Sequence, residues 1–79
     1  MTNENPVIDE HGNKRWYNED RQLHREDDKP AIEYAYGDKA WYTNDKRHRE
    51  GDKPAIEWAN GYKEWWVNDE FIRYESAYD

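Results

Sequence analysis

His24 and His48 carry the most reactive side chains of the sequence. Each opens an acidic run: His24-Arg25-Glu26-Asp27-Asp28 and His48-Arg49-Glu50-Gly51-Asp52. Two imidazoles beside carboxylates could ligate zinc or move protons. Their placement argues for a different role. Both occupy the same position of a text written twice. A catalytic group is normally unique in a chain, whereas a repeated one sets structure. Each His is therefore expected to bond a Glu or the backbone, and no catalytic, metal-binding or cofactor-binding residue is assigned. No Gly-rich phosphate loop is present, and Ser76 is the only serine. Paired carboxylates could hydrolyse a glycoside, but a thin 79-residue sheet offers no deep cleft for them. An enzyme is not expected.

The acids suggest binding instead. Glu26, Asp27 and Asp28, then Glu50 and Asp52, then Asp69 and Glu70 recur at about one unit. Stacked units would turn them into a ladder of negative charge, which could imitate a phosphate backbone. The plainer alternative is that they are solvated loop acids. Tyr74 and Tyr78 join the candidate binding residues because nothing in the repeat requires them.

The element that must position these groups is the repeat itself. Residues 24–36 and 48–60 agree at ten of 13 positions. A second block has the form Gly-x-Lys-x-Trp-aromatic, at Gly12, Gly37 and Gly61, with the glycines 25 and then 24 residues apart. One residue is therefore missing between Trp41 and His48. Pro6-Val7-Ile8-Asp9 aligns with Pro30-Ala31-Ile32-Glu33 as a degenerate start. Self-similarity of this kind marks a repeat architecture. The units span about 6–29, 30–53 and 54–79, within one domain covering 1–79.

Alternation in Ile32-Glu33-Tyr34-Ala35-Tyr36 and in Lys39-Ala40-Trp41-Tyr42-Thr43 predicts two strands. Gly37-Asp38 between them predicts a two-residue hairpin turn. That turn would pair 36 with 39, Tyr34 with Trp41 and Ile32 with Thr43. The same arithmetic pairs Trp58 with Trp65 and Ile56 with Val67. The opposite face, with Glu33, Ala35, Ala40 and Tyr42, then Glu57, Ala59, Glu64 and Trp66, is expected to meet solvent or a partner. Asn18-Glu19-Asp20, Asn44-Asp45 and Asn68-Asp69 mark second turns. Pro30 and Pro54 lack an N–H and should open strands or lie at edges. Capped short helices over 18–27 and 43–50 are the alternative there.

Composition agrees with an all-β fold. Ile, Leu, Val and Phe number only eight of 79, with net charge −7. Those figures alone would indicate disorder. Five Trp and seven Tyr reverse that reading. Each can bury roughly 150–250 Å², and aromatics favour strands. No cysteine is present, so no disulfide or thiolate metal site forms. The polar start Met1-Thr2-Asn3-Glu4-Asn5 lacks the form of a secretory signal, and a cytoplasmic location is expected. Negative charge disfavours direct contact with nucleic acid or anionic membrane and favours a basic protein surface.

Gly-x-Lys-x-Trp-Tyr-x-Asn, followed by His-Arg and Asp-Lys-Pro-Ala, resembles MORN-like repeats, short β-hairpins stacked into an extended sheet. It is also similar to a repeat of uncharacterised phage and large-virus proteins. The resemblance covers about residues 6–75. It implies an antiparallel meander of repeated hairpins and, with the small size and the acids, a virus-encoded inhibitor docking on a host defence or nucleic-acid-handling protein. A structural module that self-associates or scaffolds another subunit is the alternative.

Overall fold

Strands are short here because turn residues arrive so often. The computed structural model describes residues 5–77. The described strands are β1 (Val7–Ile8), β2 (Lys14–Arg15), β3 (Ile32–Glu33), β4 (Lys39–Ala40), β5 (Tyr42–Thr43), β6 (Lys46–Arg47), β7 (Ile56–Glu57), β8 (Lys63–Val67) and β9 (Glu70–Glu75). One antiparallel sheet has the order β1-β2-β3-β4-β7-β8-β9, and β5 and β6 form a separate hairpin. The protein is an all-β meander of hairpins. No helix occurs among the described residues, so the helical alternative for 18–27 and 43–50 is discarded.

The main hairpins turn differently from the expected geometry. The Tyr34 N–H donates to the Asp38 carbonyl and the Gly37 N–H to the Tyr34 carbonyl, each at 2.9 Å. Gly37 has φ 108°. The loop is therefore the three residues Ala35-Tyr36-Gly37, a type I turn closed by a left-handed residue. β3 pairs β4 as Ile32↔Ala40 and Glu33↔Lys39, and β7 pairs β8 as Ile56↔Glu64 and Glu57↔Lys63. This register is three positions from the expected one. An odd shift moves side chains to the other face. Tyr34 consequently does not oppose Trp41, nor Trp58 Trp65, and Ile56 does not oppose Val67. Ala40, expected on an open face, is buried. At the first hairpin the Gly12 N–H donates to the Asp9 carbonyl, and Val7 lies opposite Arg15 as Ile32 lies opposite Ala40. Val7, rather than Ile8, thus corresponds to Ile32.

The second turns explain the 25- and 24-residue spacings. Asn44-Asp45 and Asn68-Asp69 all have positive φ, between 48° and 70°. They form two-residue turns between Thr43↔Lys46 and Val67↔Glu70. Asn and Asp tolerate that region better than other non-Gly residues. The first unit instead closes Asn18 against Gln22 through Glu19-Asp20-Arg21, with Arg21 at φ 62°. The extra residue of the first unit is in this loop.

With few aliphatics, the buried apolar residues are Trp16, Ala31, Ile32, Ala40, Trp41, Ala55 and Trp65. Trp16, Trp41 and Trp65 each lie beneath a guanidinium. Arg25, Arg49 and Arg73 place Cζ 3.6, 3.8 and 3.7 Å from the respective ring centroids. The same arginines then bond Glu33, Glu57 and Glu75, at 3.0, 3.1 and 2.5 Å. Each Arg offers an apolar face to indole and edge donors to carboxylate, a pairing lysine cannot reproduce. These Trp–Arg–Glu sets are the framework of the sheet.

The same registers show what the C-terminal segment is. Lys14 opposes Glu33, Lys39 opposes Glu57 and Lys63 opposes Glu75. Glu75-Ser76-Ala77 therefore stands where Glu33-Tyr34-Ala35 and Glu57-Trp58-Ala59 stand before it. The linker is shortened: Arg49 and Glu57 are eight residues apart, Arg73 and Glu75 only two. Deleting the loop lets β9 run on as a closing strand.

Each hairpin glycine faces the alanine of the following unit, Gly12 facing Ala35, Gly37 facing Ala59 and Gly61 facing Ala77, and the last approach is the tightest. Gly61 has φ 96°, and a Cβ built on it would lie 2.8 Å from the Ala77 Cβ. Gly61→Ala is expected to lose roughly 1–2 kcal/mol from backbone strain alone, read from urea denaturation. Gly51→Asp copies Asp27, which also has positive φ. Asp accepts that region better than most residues, so Gly51→Asp should lose less stability than Gly61→Ala.

Candidate functional site

The repeated polar residues are largely committed to joining one hairpin to the next. The backbone N–H groups of Asn44 and Asn68 donate to Nδ1 of His24 and His48, at 3.2 and 3.1 Å. Each Nε2 then faces a carboxylate, Glu26 at 3.6 Å and Glu50 in closer contact. The histidines thus act as spacers between units. Asp45 accepts the Leu23 N–H at 2.6 Å. Asn13 and Asp38 accept the N–H groups of Ala35 and Ala59, at 2.8 and 2.5 Å. The indoles of Trp41 and Trp65 donate to the carbonyls of Asp28 and Asp52, both at 3.0 Å. Among the described residues, no cluster of three or more His, Asp or Glu side chains is arranged to hold a metal ion.

The candidate acids fall into two groups in space. Glu26, Asp27, Asp28 and Glu50 line one cleft of about 450 Å³, together with Arg25, Arg49 and Lys53. Asp52 is exposed on the same loop as Glu50 and Gly51. Asp69 and Glu70 lie at the β8–β9 turn instead. Much of this charge is compensated inside the chain. Asp28 bonds Arg49 at 2.9 Å and Lys53 at 2.8 Å. Asp69 bonds Arg47 at 3.0 Å, which holds its carboxyl below the usual range. No cation among the described residues forms an ion pair with Asp27, Asp52 or Glu70. Tyr74 is exposed on β9 beside Phe71 and Ile72, and Tyr78 lies outside the described residues.

Asp28 makes the acid limb of stability testable. Hydrogen bonds from Arg49, then Lys53, depress its pKa to about 2 from the ordinary 3.8. A depressed carboxylate contributes stability above its unfolded pKa and loses it as pH falls through the folded one. The contribution is therefore complete above about pH 4 and disappears toward pH 2. Asp28→Asn should lower stability at neutral pH and flatten the decline between pH 4 and 2, followed by urea melts across that range.

A second concavity, of about 340 Å³, opens on the sheet face that carries Ala40 and Ile56. Tyr34, Tyr36, Tyr42 and Trp58 line it with Asp38, Glu64 and Arg47. Alternation explains its composition. Ile32 and Ala40 oppose one another in the ladder and are buried, while Tyr36 within the first three-residue loop and Trp58 at the base of the next are exposed. Tyr34 and Tyr36 stack with centroids 5.6 Å apart. Glu64 accepts two indole N–H groups, Trp58 at 2.8 Å and Trp66 at 2.9 Å. Loss of hydration, then the Asp38 carboxylate, raises the Tyr36 pKa. Loss of hydration raises that of Tyr42.

The sequence matches no protein-family model and no curated protein, and the fold matches no solved structure. Function is therefore argued from these surfaces. The groove was not visible as a site in the sequence, because the expected register turned Tyr34 and Trp58 toward Trp41 and Trp65. One signal was available: positions 34 and 58 both keep an aromatic just before a loop that also keeps its glycine.

Proposed function

We infer that this protein is a non-catalytic binding module that docks on a partner protein through a basic surface. The observation that carries this reading is the aromatic groove with two carboxylates in its wall, in a chain of net charge −7. Aromatic side chains supply contact area at low entropic cost, and carboxylates supply selectivity for cations. Asp27, Asp52 and Glu70, which pair with no cation among the described residues, add negative charge elsewhere on the surface. A viral inhibitor that imitates nucleic acid is the specific form suggested by the repeat's resemblance. Binding should be tested by titrating the protein with an end-blocked polylysine or polyarginine oligomer at low and high salt. Affinity is expected to weaken as salt rises. No binding at low salt would exclude a basic partner.

Self-assembly is supported by a separate observation. β9 is an edge strand of six residues with Phe71, Ile72 and Tyr74 exposed by 51%, 54% and 64%. Ile72 stands where earlier units place His24 and His48. Edge strands with open apolar side chains are templates for pairing. If β9 pairs with a second copy, light scattering should show a dimer, and Ile72→Lys should convert it to monomer.

A further inference from the structure

We propose that Trp58, Tyr36 and Glu64 form a receptor for an arginine side chain of the partner. The proposal rests on the basic-partner reading and locates the contact. Trp16, Trp41, Trp65 and Trp66 each carry a guanidinium, at 3.6–3.8 Å from ring to Cζ. Trp58 is the one tryptophan among the described residues without such a cation. Trp58 is 41% exposed and lines the groove with Tyr36, which is 67% exposed.

The anion needed to hold a cation there is also in place. In the three framework sets, the Arg over the indole bonds a Glu. At Trp58 the carboxylate is present and the Arg is missing. Glu64 takes the Trp58 indole N–H on one oxygen and the Trp66 N–H on the other. These donors are neutral, so the negative charge of Glu64 remains uncompensated by them. Arg47 is the nearby cation, and it is already over Trp66 and bonded to Asp69. Asp38 adds a second carboxylate to the groove wall.

Arginine fits this site better than lysine. Its planar guanidinium stacks on an aromatic face while its edge N–H groups reach a carboxylate. The cavity, at about 340 Å³, is near the lower end of the roughly 300–1,000 Å³ range of ligand sites. That size suits one long side chain entering from solvent rather than a whole cofactor.

The test is a titration of the full chain with a short, end-blocked Gly/Ser peptide carrying two arginines, followed by NMR at the tryptophan indole N–H signals. The Trp58 signal is expected to move. Trp58→Ala and Glu64→Gln should each weaken binding by about tenfold, the scale of one partly desolvated cation–π contact. Tyr36→Ala, at an exposed loop position, should weaken it less and serves as a variant that keeps the core intact. The citrulline analogue should bind more weakly than the arginine peptide. Shifts confined to residues 26–28 and 50–52, with Trp58 unmoved, would overturn the receptor and leave the basic-partner reading standing. Equal binding of the citrulline peptide would overturn the cation role. No binding of the arginine peptide or of the basic oligomer would overturn both readings.

Discussion

Trp41→Ala is expected to lower the unfolding free energy by about 3–5 kcal/mol, the usual range for removing a buried tryptophan. A chain of 79 residues has roughly 4–12 kcal/mol in all, at about 0.05–0.15 kcal/mol per residue. The variant would lose a large share of that and populate the unfolded state visibly at 37 °C. The reason lies in what the ring touches. Trp41 is 6% exposed, and its backbone N–H donates to the Ala55 carbonyl at 2.7 Å. Its indole N–H closes the 26–29 turn through the Asp28 carbonyl, and its face receives Arg49. Removing the ring leaves the backbone bond to Ala55 in place but opens a cavity and releases the Asp28 carbonyl and Arg49 together. Trp41→Phe keeps a ring but gives up the indole hydrogen bond, and should lose about 1–2 kcal/mol. Far-ultraviolet circular dichroism against urea would measure both. An unchanged midpoint for Trp41→Ala would mean that the Trp–Arg–Glu sets do not hold the sheet.

Arg49→Ala should lose about 3 kcal/mol, since removing one member of a partly buried ionic set leaves the others unpaired. Arg49 is 12% exposed at its side chain. It covers Trp41 and donates to Glu57, to the Pro54 carbonyl and to Asp28. It thus ties its own hairpin to the loop of the preceding one. For a domain of this size, about 3 kcal/mol corresponds to a fall of roughly 12–24 °C in Tm. Arg49→Lys restores charge but neither the stacked plane nor the fork of donors, so it should recover less than half of the loss. The two mutations Arg49→Ala and Asp28→Asn should be clearly non-additive, because they remove one shared contact. Additive effects would place Asp28 outside this network.

The sequence was informative wherever local chemistry decides the backbone. Asn44-Asp45 and Asn68-Asp69 are read as turns because few other residues accept positive φ at two successive positions. Gly37 and Gly61 mark hairpins for the same reason. Trp41 is read as core because its neighbours supply so little apolar surface. The strand type follows from aromatics alternating with polar residues. Register was less legible. A turn of two residues or of three fits the Tyr34–Asp38 text, and the choice moves every side chain across the sheet.

The arginines show the same limit from another side. Arg25, Arg49 and Arg73 recur every 24 residues, and Arg73 persists where His and Glu do not. That regularity was readable, but its meaning was not. Only the folded sheet brings Trp16, Arg25 and Glu33 together from three parts of the chain. The C-terminal strand is similar. Glu75-Ser76-Ala77 copies Glu33-Tyr34-Ala35 at two positions of three, too faint a match once the intervening loop is gone. Its cross-strand partner Lys63 reveals it.

The sequence by itself determined the all-β class, the Asn-Asp turns at 44–45 and 68–69, the burial of Trp41 and Trp65 and the recurrence of the hairpin. These depend on φ preferences, alternation and aromatic area, which are properties of neighbouring residues. Tertiary structure alone decided which face each aromatic takes, which acids are neutralised and where the open groove lies. Those depend on register and on contacts between hairpins, and one shifted turn residue changes all of them together.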